Sequence, residues 1–436
     1  MDLGCELEIT FHIERGGTLC LWNSDQQISN APWRNADAFL QHVMGWFQNT
    51  ASGWPDDNDA DLERYLEYDS SQILLYDKEI MEGRSYFRAS SVSKEVLQLT
   101  PAPLWIPKAT KMRRKGVRRR EKHLAWVTTV GEVSKPIIRW DDLVEVVGHD
   151  LSSLLDLINI GSVEYILVNY RRGNSAAGLA LKVKRTVDRI PIFKAIESAD
   201  NSISTRSLRS GLINDSIAQK KIAIVGCGAI GSFLADILFR SGIRNIILID
   251  SERLKPGNLV RHWARAENVG KYKTEAVKYQ LEQLGLGSSK IIAITSKVSS
   301  LADAIELTRH YDLIIDATAD QRATTLMVLA TTQANVGLIS SCLQRNGEII
   351  RIDRFPLQTG QSHLPSIPQS DNQNPLFEVG CGNPVTRTSP HAVIRAASLT
   401  AQIVLGELKN ENVPLTLIEV LNEQDDAPYD KVGIIN

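Results

Sequence analysis

The stretch KKIAIVGCGAIGSFLADILFRSGIRNIILIDSERLKPGNLVRHWARAENVGKYK, residues 220–273, decides the fold of this 436-residue chain. Its apolar run at residues 222–225 predicts a buried parallel strand. Gly226, Gly228 and Gly231 then form G-x-G-x-x-G at the strand-to-helix turn. Glycines permit a tight turn and close backbone approach, and the helix N-terminus offers free N–H groups and partial positive charge to phosphate. The stretch therefore predicts a nucleotide-binding α/β domain.

A second predicted strand, residues 245–249, ends at Asp250. This acid follows the last glycine by about 20 residues, where a carboxylate can bind the hydroxyls of a ribose. As far as Asp250, an NAD-dependent oxidoreductase fits as well as an ATP-using enzyme, because both classes bind a nucleotide at such a turn.

The cations after Asp250 favour ATP chemistry. N-L-V-R, residues 258–261, follows the second strand, and G-K-Y-K, residues 270–273, opens the next helical segment. An enzyme that cleaves ATP between the α- and β-phosphates needs fixed cations, because charge builds up on the leaving pyrophosphate. Arg261 and Lys273 are suited to that task, whereas a dehydrogenase has no use for them.

A third buried strand is predicted within DLIIDATAD, residues 312–320. Its acids, Asp316 and Asp320, stand at the carboxyl end of the strand, where ligands bind in open α/β sheets. A carboxylate there can hold the Mg²⁺ that accompanies ATP. The apolar, alanine-rich run at residues 391–408 predicts a helix that packs on the same sheet.

These motifs, in this order, resemble the ThiF/MoeB family, the adenylation domain of ubiquitin-activating enzymes. The resemblance implies a Rossmann-like α/β domain, to which we assign residues 201–436. It further implies a nucleotide site in which Asp250 binds the ribose hydroxyls and Asp320 coordinates Mg²⁺. Asp316 is either a second ligand or a structural strand-end acid, and Lys271 is expected to be a solvated neighbour. The residues implied to bind ATP are Gly226, Gly228, Gly231, Asp250, Asn258, Arg261, Lys273 and Asp320.

The five cysteines are far apart and include no C-x-x-C pair, so we expect neither a disulfide framework nor the zinc site of many relatives. Cys227 and Cys342 are predicted to be packing residues. Cys381 lies between two glycines in FEVGCGNPVTRTSPH, residues 377–391. In the resembling enzymes a loop crossing the adenylate carries a thioester-forming cysteine, which implies this role for Cys381. Arg387 nearby would favour its thiolate; a turn cysteine without a reaction is the alternative.

Residues 1–75 resemble the active-site half of a ubiquitin-conjugating enzyme, most closely the bacterial versions fused to ThiF-type domains. The resemblance depends on G-T-L-C-L at residues 17–21, on Trp33 and on apolar residues at near-helical spacing in residues 38–47. It implies that Cys20 receives the modifier from Cys381. The His-Pro-Asn tripeptide of eukaryotic relatives is missing, so a half-buried strand cysteine or a docking module remains the alternative.

Residues 76–200 are predicted to form an α+β domain of unassigned role. Within it, residues 140–158 predict a helix with Asp141 as N-cap, and VEYILVNYRRG with GLALKVKRTV predicts a hairpin around residues 172–174. The basic run KATKMRRKGVRRREKH, residues 108–123, is either a solvated loop or a contact for an acidic partner or nucleic acid.

Composition indicates a soluble cytoplasmic enzyme. The net charge of −2 provides no general attraction to nucleic acid, so no such partner is expected. No apolar run reaches the roughly 18 residues of a membrane span, and the acidic N-terminus is not a signal peptide.

Together these features predict that ATP activates the C-terminal carboxylate of a ubiquitin-like or similarly tailed protein. Thioester formation on Cys381 and transfer to Cys20 or a separate conjugating enzyme would follow. The resemblance also implies a homodimer, in which Arg206 or Arg209 reaches the partner's ATP site, and a role in antiphage defence. Three alternatives stay open: a sulfur-carrier adenylyltransferase without the thioester step, an NAD-dependent oxidoreductase, and a non-enzymatic adaptor.

Overall fold

A computed structural model describes residues 11–13, 18–22, 32–54, 61–102, 123–208, 215–287, 289–367, 376–377, 384–385, 387–425 and 427–436. The chain divides into two compact units, Met1–Thr205 and Arg206–Asn436. None of the helices in these ranges is long and apolar enough to cross a membrane.

The first unit contains a closed barrel of seven strands, in the order β1-β3-β2-β4-β5-β6-β7. Its strands are β1 Tyr68–Tyr76, β2 Tyr86–Ser91, β3 Val96–Pro101, β4 Leu124–Glu132, β5 Val163–Arg172, β6 Ser175–Lys184 and β7 Ile192–Asp200. β7 closes the barrel by pairing with β1 in parallel. The predicted hairpin is confirmed, because Arg172 pairs with Ser175 across the loop that joins β5 and β6.

Helices of the first unit are α1 Ala36–Ser52, α2 Trp140–Val147 and α3 Ser152–Asn159. The single helix predicted over residues 140–158 is wrong, because Gly148 adopts a left-handed conformation with φ 72° and ends α2. The predicted N-cap is also off by two residues. Arg139 is the N-cap, and its backbone N–H donates to the Asp142 carboxylate at 2.8 Å.

The second unit contains an eight-stranded sheet in the order β10-β9-β8-β11-β12-β13-β16-β17. Its strands are β8 Lys221–Val225, β9 Asn245–Ile249, β10 Lys290–Ile294, β11 Leu313–Asp316, β12 Gly337–Gln344, β13 Ile349–Phe355, β16 Thr416–Val420 and β17 Gly433–Ile435; β14 Leu376–Phe377 and β15 Pro384–Val385 form a separate pair. The sheet neighbours β10, β9, β8, β11 and β12 run parallel to one another. β13, β16 and β17 extend the sheet beyond β12 by antiparallel pairing.

The remaining helices are α4 Ile203–Leu208, α5 Asp215–Ala218, α6 Ala229–Arg240, α7 Lys273–Gln283, α8 Leu301–His310, α9 Gln321–Ala334 and α10 Pro390–Leu408. α6 and α10 pack with β8 and β12 in one core, in which Ile224, Leu234 and Val404 are fully buried. The chain leaves β8 for β9 on one side and returns to β11 on the other, so the strand order reverses at β8. In open α/β sheets ligands bind at the carboxyl ends of strands beside such a reversal.

Candidate nucleotide-binding site

The glycine turn after β8 can be formed only by glycine at two of its three motif positions. Gly226 has φ 91°, and a Cβ atom there would lie 2.7 Å from the backbone of Ala317. A Cβ on Gly231 would lie 1.9 Å from the Gly226 carbonyl oxygen. By contrast, a Cβ on Gly228 would meet no described atom within 4 Å. The turn is therefore packed tightly from behind and open in front of α6, as close approach of a phosphate requires.

Asp250 lies directly beside this turn. Its Oδ2 accepts the backbone N–H of Cys227 at 2.8 Å, and its Oδ1 accepts the backbone N–H of Glu252 at 2.8 Å. Each carboxylate oxygen has two lone pairs, so each oxygen can still accept a hydrogen bond from a ribose hydroxyl. Burial raises the pKa of the Cys227 thiol well above its usual range and Asp250 raises it further, although Lys273 opposes the shift. A neutral, fully buried thiol fits the packing role predicted for Cys227.

His262 contacts the same turn residue as Asp250, Cys227, but at its carbonyl group. Its Nδ1 accepts the Ala264 backbone N–H at 3.0 Å, which places the ring hydrogen on Nε2. Nε2 then donates to the Cys227 carbonyl at 2.8 Å. Burial lowers the pKa of His262 to about 4, so the ring is neutral at physiological pH. In the sequence, the only signal for His262 is its position directly after the motif arginine.

The neutral state of His262 makes stability depend on pH. Because the pKa falls from 6.5 unfolded to about 4 folded, its contribution is fully present above pH 6.5 and is lost as pH falls towards 4. We expect wild-type protein to lose about 2 kcal/mol of unfolding free energy from this residue between pH 7.5 and 5. Urea unfolding at both pH values should show a smaller loss for His262→Gln. Equal losses in the two proteins would contradict the assignment.

Lys273, at the start of α7, is the buried cation of the site. Its Nζ forms an ion pair with the Glu252 carboxylate, and only 7% of the residue is exposed. Its backbone N–H donates to the Glu252 carbonyl at 2.9 Å, and the Glu252 backbone N–H in turn donates to Asp250 beside the glycine turn. Lys271 is held elsewhere: its Nζ donates to Asn268 Oδ1 at 3.0 Å and lies 4.5 Å from the Tyr279 ring centroid. The two lysines thus have different partners, and the role of Lys273 on phosphate stays a prediction.

Asn258 and Arg261 belong to a 3₁₀ helix, Pro256–Arg261. Asn258 Oδ1 accepts the Lys255 backbone N–H at 2.9 Å, which leaves its Nδ2 as the group that can donate to a phosphate. Arg261 Nη1 lies 3.4 Å from the Thr388 carbonyl oxygen, just before α10. The contact of Arg261 with phosphate thus stays a prediction, supported by its neighbour His262 on the turn.

The two acids of the D-A-T-A-D run have different environments. Asp316 is 1% exposed and accepts hydrogen bonds from the Thr318 hydroxyl and backbone N–H at 2.7 and 3.0 Å, and from the Ser340 hydroxyl at 2.9 Å. The Thr324 hydroxyl also donates to it. These donors give Asp316 a structural role at the sheet edge.

Asp320 is exposed and caps α9. Its Oδ1 accepts the backbone N–H groups of Arg322 and Ala323 at 2.9 and 3.3 Å, and its Oδ2 accepts no hydrogen bond from any residue that the structure describes. Ala319, which precedes it, has φ 53°, a conformation that alanine rarely adopts. Of the two acids, Asp320 is therefore the one with a carboxylate oxygen available to a metal ion.

Several predicted residues lie elsewhere. Cys381 and Arg209 fall outside the described residues. Arg206 donates to the Gly285 carbonyl within the second unit, and Arg387 is exposed. Burial raises the pKa of Cys342 to about 11, which agrees with a packing role.

Cys20, in the first unit, is half-buried. Its Sγ accepts from Arg64 Nη1 at 3.7 Å, and its carbonyl accepts from Trp46 Nε1 at 2.9 Å. The Cys20 thiol in turn donates to the Trp22 carbonyl oxygen at 3.7 Å. The catalytic role of Cys20 nevertheless stays a prediction.

The glycine turn, the adjacent carboxylate and the buried lysine at a strand-order reversal define a Rossmann-like nucleotide-binding domain. Residues 205–416 match the ThiF family model, which is the family that the motifs resemble. The predicted boundaries at residues 75 and 200, and the conjugating-enzyme-like character of residues 1–75, stay predictions.

Known proteins are similar to parts of this chain. The chain is 29% identical over 189 residues to the ATP-dependent ubiquitin transferase-like protein Cap2 of Escherichia coli, with 41% of this chain and 31% of that protein covered. The Vibrio cholerae Cap2 is 33% identical over 150 residues, which cover 33% and 24%. The chain thus spans at most about a third of the length of these two relatives. Among solved structures, E. coli MccB is similar with 21% identity and a TM-score of 0.41, over 51% of this chain and 62% of MccB.

Proposed function

We propose that the second unit joins the C-terminal carboxylate of a ubiquitin-like or similarly tailed protein to AMP, with ATP as the other substrate. The observation that carries the proposal is the buried Lys273 held beside an open glycine turn and Asp250. The ThiF-family match and the similarity to ATP-dependent ubiquitin transferase-like proteins support the same reaction class.

In this reaction a carboxylate oxygen of the substrate attacks the α-phosphorus of ATP. A new P–O bond forms, the bond between the α-phosphorus and the bridging oxygen breaks, and pyrophosphate leaves with the bonding electron pair. The turn's amides and Asp250 position the nucleotide, while Lys273 and Arg261 stabilise the charge on the departing pyrophosphate. The chain's contribution is thus positioning and fixed positive charge.

The residues present fit a magnesium ion. Mg²⁺ usually keeps several waters and binds through one or two carboxylates together with substrate phosphates. Asp320 supplies such a carboxylate oxygen at the carboxyl edge of the sheet. No group of three or more His, Cys, Asp or Glu side chains in the described chain is arranged to hold a metal ion. A bound Mg²⁺ would neutralise phosphate charge, and Asp320 would fix its position.

Asp320→Asn tests this role. The asparagine retains the oxygen that caps α9, and Asn is as good an N-cap as Asp, so stability should change by less than about 0.5 kcal/mol. We expect the Mg²⁺ concentration for half-maximal activity to rise about tenfold, because the carboxylate charge is lost. A magnesium titration of ATP–pyrophosphate exchange measures this. An unchanged magnesium dependence would exclude Asp320 as the ligand.

The later steps of the proposal involve cysteines. The Cys381 thiolate would attack the acyl-adenylate carbonyl, forming a thioester and releasing AMP. Cys20 or a separate conjugating enzyme would then receive the acyl group by thiol exchange. Cytoplasmic location, a homodimer and a setting in antiphage defence complete the proposal by resemblance.

ATP–pyrophosphate exchange with a panel of candidate small modifier proteins tests the first step. We expect label to enter ATP only when a protein with a free C-terminal carboxylate is present, and an amidated C-terminus serves as the control. Absence of exchange with the whole panel would contradict the proposal, and NAD binding in its place would favour the oxidoreductase.

Non-reducing gels test the second step. A reducible adduct should form with wild-type protein and disappear with Cys381→Ser. A Cys381→Ser protein that completes the pathway would favour the sulfur-carrier reaction.

A further inference from the structure

One end of the barrel in the first unit carries the turns of two hairpins. β4 and β5 run parallel from Leu124 and Val163, so both strands begin at this end. β6 runs antiparallel to β5 and finishes here at Lys184, which pairs with Ile192 of β7. β2 also finishes here, because it runs antiparallel to β4 and is followed by β3 in a hairpin. The β2–β3 turn and the β6–β7 turn therefore lie at the same end of the barrel.

Both turns expose apolar side chains. In the β6–β7 turn Val187 is 98% exposed and Ile190 is 58% exposed, and in the β2–β3 turn Val92 is 69% exposed. Turns are usually built from Gly, Pro, Asn, Asp and Ser, each of which has a backbone or hydrogen-bonding reason to be there. Valine and isoleucine have no such reason, and the fold does not bury them. These residues are therefore suited to a contact outside the barrel.

The β6–β7 turn has a fixed backbone. The Arg189 N–H donates to the Thr186 carbonyl at 3.3 Å, and the Thr186 hydroxyl donates to the Ile190 carbonyl. Asn159 Nδ2, at the end of α3, donates to the Arg189 carbonyl at 3.3 Å. Arg189 itself has φ 64°, in the left-handed region. These contacts hold Val187 at the apex of the turn, so little backbone entropy is left to lose on binding.

Three exposed cations flank this apex, namely Lys184, Arg185 and Arg189. The Arg185 guanidinium lies over the turn before β5, since a Cβ on Gly161 would be 3.0 Å from its Nη1. None of the three cations forms an ion pair with any residue in the described ranges. Asp188 is the single acid in the turn. The turn thus presents unpaired positive charge beside exposed apolar side chains.

The sequence that enters β4 is also basic. Residues 108–122 contain nine Lys and Arg against one Glu, and His123 follows directly. His123 Nδ1 lies 2.6 Å from Glu164 Oε2, at the end of the barrel where β4 and β5 begin. Residues 103–122 lie outside the described ranges and form no part of the surface discussed here.

The combination of cations and apolar tips indicates which partner fits. Nucleic acid would use the cations but would gain nothing from Val187 or Val92. β4 and β5 separate the two turns along the ring, so the apolar side chains form separate tips. A flat surface can contact both tips at once. An anionic bilayer offers phosphates to the cations and an apolar layer directly beneath the headgroups to the tips.

We propose that this tip surface binds the surface of an anionic lipid bilayer. The tip surface consists of Val92, Lys184, Arg185, Val187, Arg189 and Ile190. Its apolar side chains enter the headgroup region, and its cations bind the lipid phosphates. Such peripheral binding needs no spanning helix. The inference concerns the first unit alone and is independent of the proposed adenylation.

Cosedimentation of the full chain with lipid vesicles tests the proposal. The probe is a phosphatidylcholine vesicle that contains about 30% phosphatidylglycerol. We expect binding to be at least about tenfold weaker to vesicles of phosphatidylcholine alone, and to weaken similarly when salt rises from about 0.1 M to 0.5 M, because salt screens the headgroup charge. No binding to the anionic vesicles, or equal binding to both kinds, overturns the proposal.

Single charge removals locate the contact. Arg185→Gln and Arg189→Asn should each weaken vesicle binding about fivefold, as the loss of one cation near a membrane surface does. Asparagine tolerates the left-handed backbone at position 189. Arg84→Gln is the matched control, because exposed Arg84 lies just before β2, about 20 Å away at the opposite end of the barrel. Equal losses in all three variants would indicate a general effect of net charge and overturn the assignment.

Two substitutions of Val187 separate a bilayer from other anionic partners. Val187→Ser should weaken vesicle binding about tenfold, because burial of the valine side chain is lost. Val187→Trp should strengthen it at least about threefold, since tryptophan prefers the membrane interface. A gain of binding cannot arise from unfolding, so this variant keeps the test decisive. If the charge removals weaken binding but neither Val187 variant changes it, the surface binds a polyanion such as nucleic acid or an acidic protein, and the bilayer proposal is wrong.

Discussion

Gly231→Ala is expected to weaken ATP binding strongly, because the new methyl group would lie 1.9 Å from the Gly226 carbonyl oxygen. Neither the Gly226 carbonyl nor the start of the helix can move away without loss of other contacts. The Gly226 backbone N–H is bonded to the Ile249 carbonyl at 2.8 Å, and the turn packs against Ala317. Overpacking costs about 1–3 kcal/mol or more, so the turn must shift. If two hydrogen bonds to phosphate are lost at about 1.5 kcal/mol each, affinity falls by roughly 100-fold.

Two other glycines provide controls for this prediction. Gly228→Ala meets no described atom, so the ligand-free protein should retain its stability while the added methyl group hinders the nucleotide. Gly45→Ala lies inside α1 with open space around it and should stabilise the first unit by about 0.5–1 kcal/mol. Calorimetric titration with ATP and thermal melting measure both effects. Normal ATP affinity in Gly231→Ala would show that the turn is not the phosphate site.

Lys273→Met is expected to lower the rate of ATP–pyrophosphate exchange by about 10²–10³, as the loss of one fixed transition-state donor does in other enzymes. The ammonium is buried beside the turn, where charge acts through a medium of lower polarity than water. ATP affinity should fall less than the rate, because the charge on the leaving pyrophosphate develops during bond cleavage. The methionine keeps most of the apolar volume, and exposed Glu252 can be solvated once its partner is gone.

Lys271→Met is the matched control, two residues away in the chain. Its ammonium bonds Asn268 and lies over Tyr279, so exchange should change less than about twofold. Initial rates at saturating ATP, together with ATP dissociation constants, separate catalysis from binding. Equal losses in the two variants would indicate a general effect of surface charge and contradict the assignment of Lys273.

The parts of the second unit that the sequence predicted are set by short-range chemistry. The buried strand, the glycine turn and the strand-end acid lie within residues 220–250, so spacing alone specified them. The acids of the D-A-T-A-D run, Asp316 and Asp320, were likewise identified from their spacing along the chain. Which acid is structural could not be decided, because the donors to Asp316 include Ser340, 24 residues away.

Long-range pairing explains what the sequence did not predict. The barrel closes between Tyr68 and Ala195, which are 127 positions apart, and no local pattern reports such a contact. The break between α2 and α3 was missed because Gly148 lies within an otherwise helical apolar pattern.

The closed ring of strands in the first unit limits how another molecule can attach to it. In this ring each strand, from Tyr68–Tyr76 to Ile192–Asp200, has a neighbour on both flanks. A ring closed in this way leaves less unpaired strand edge among the described residues than an open sheet, which disfavours edge-to-edge association at the ring. A partner of the ring is then recognised mainly by the shape and charge of side chains. Point substitutions on its outer surface should therefore be enough to abolish or redirect such an association.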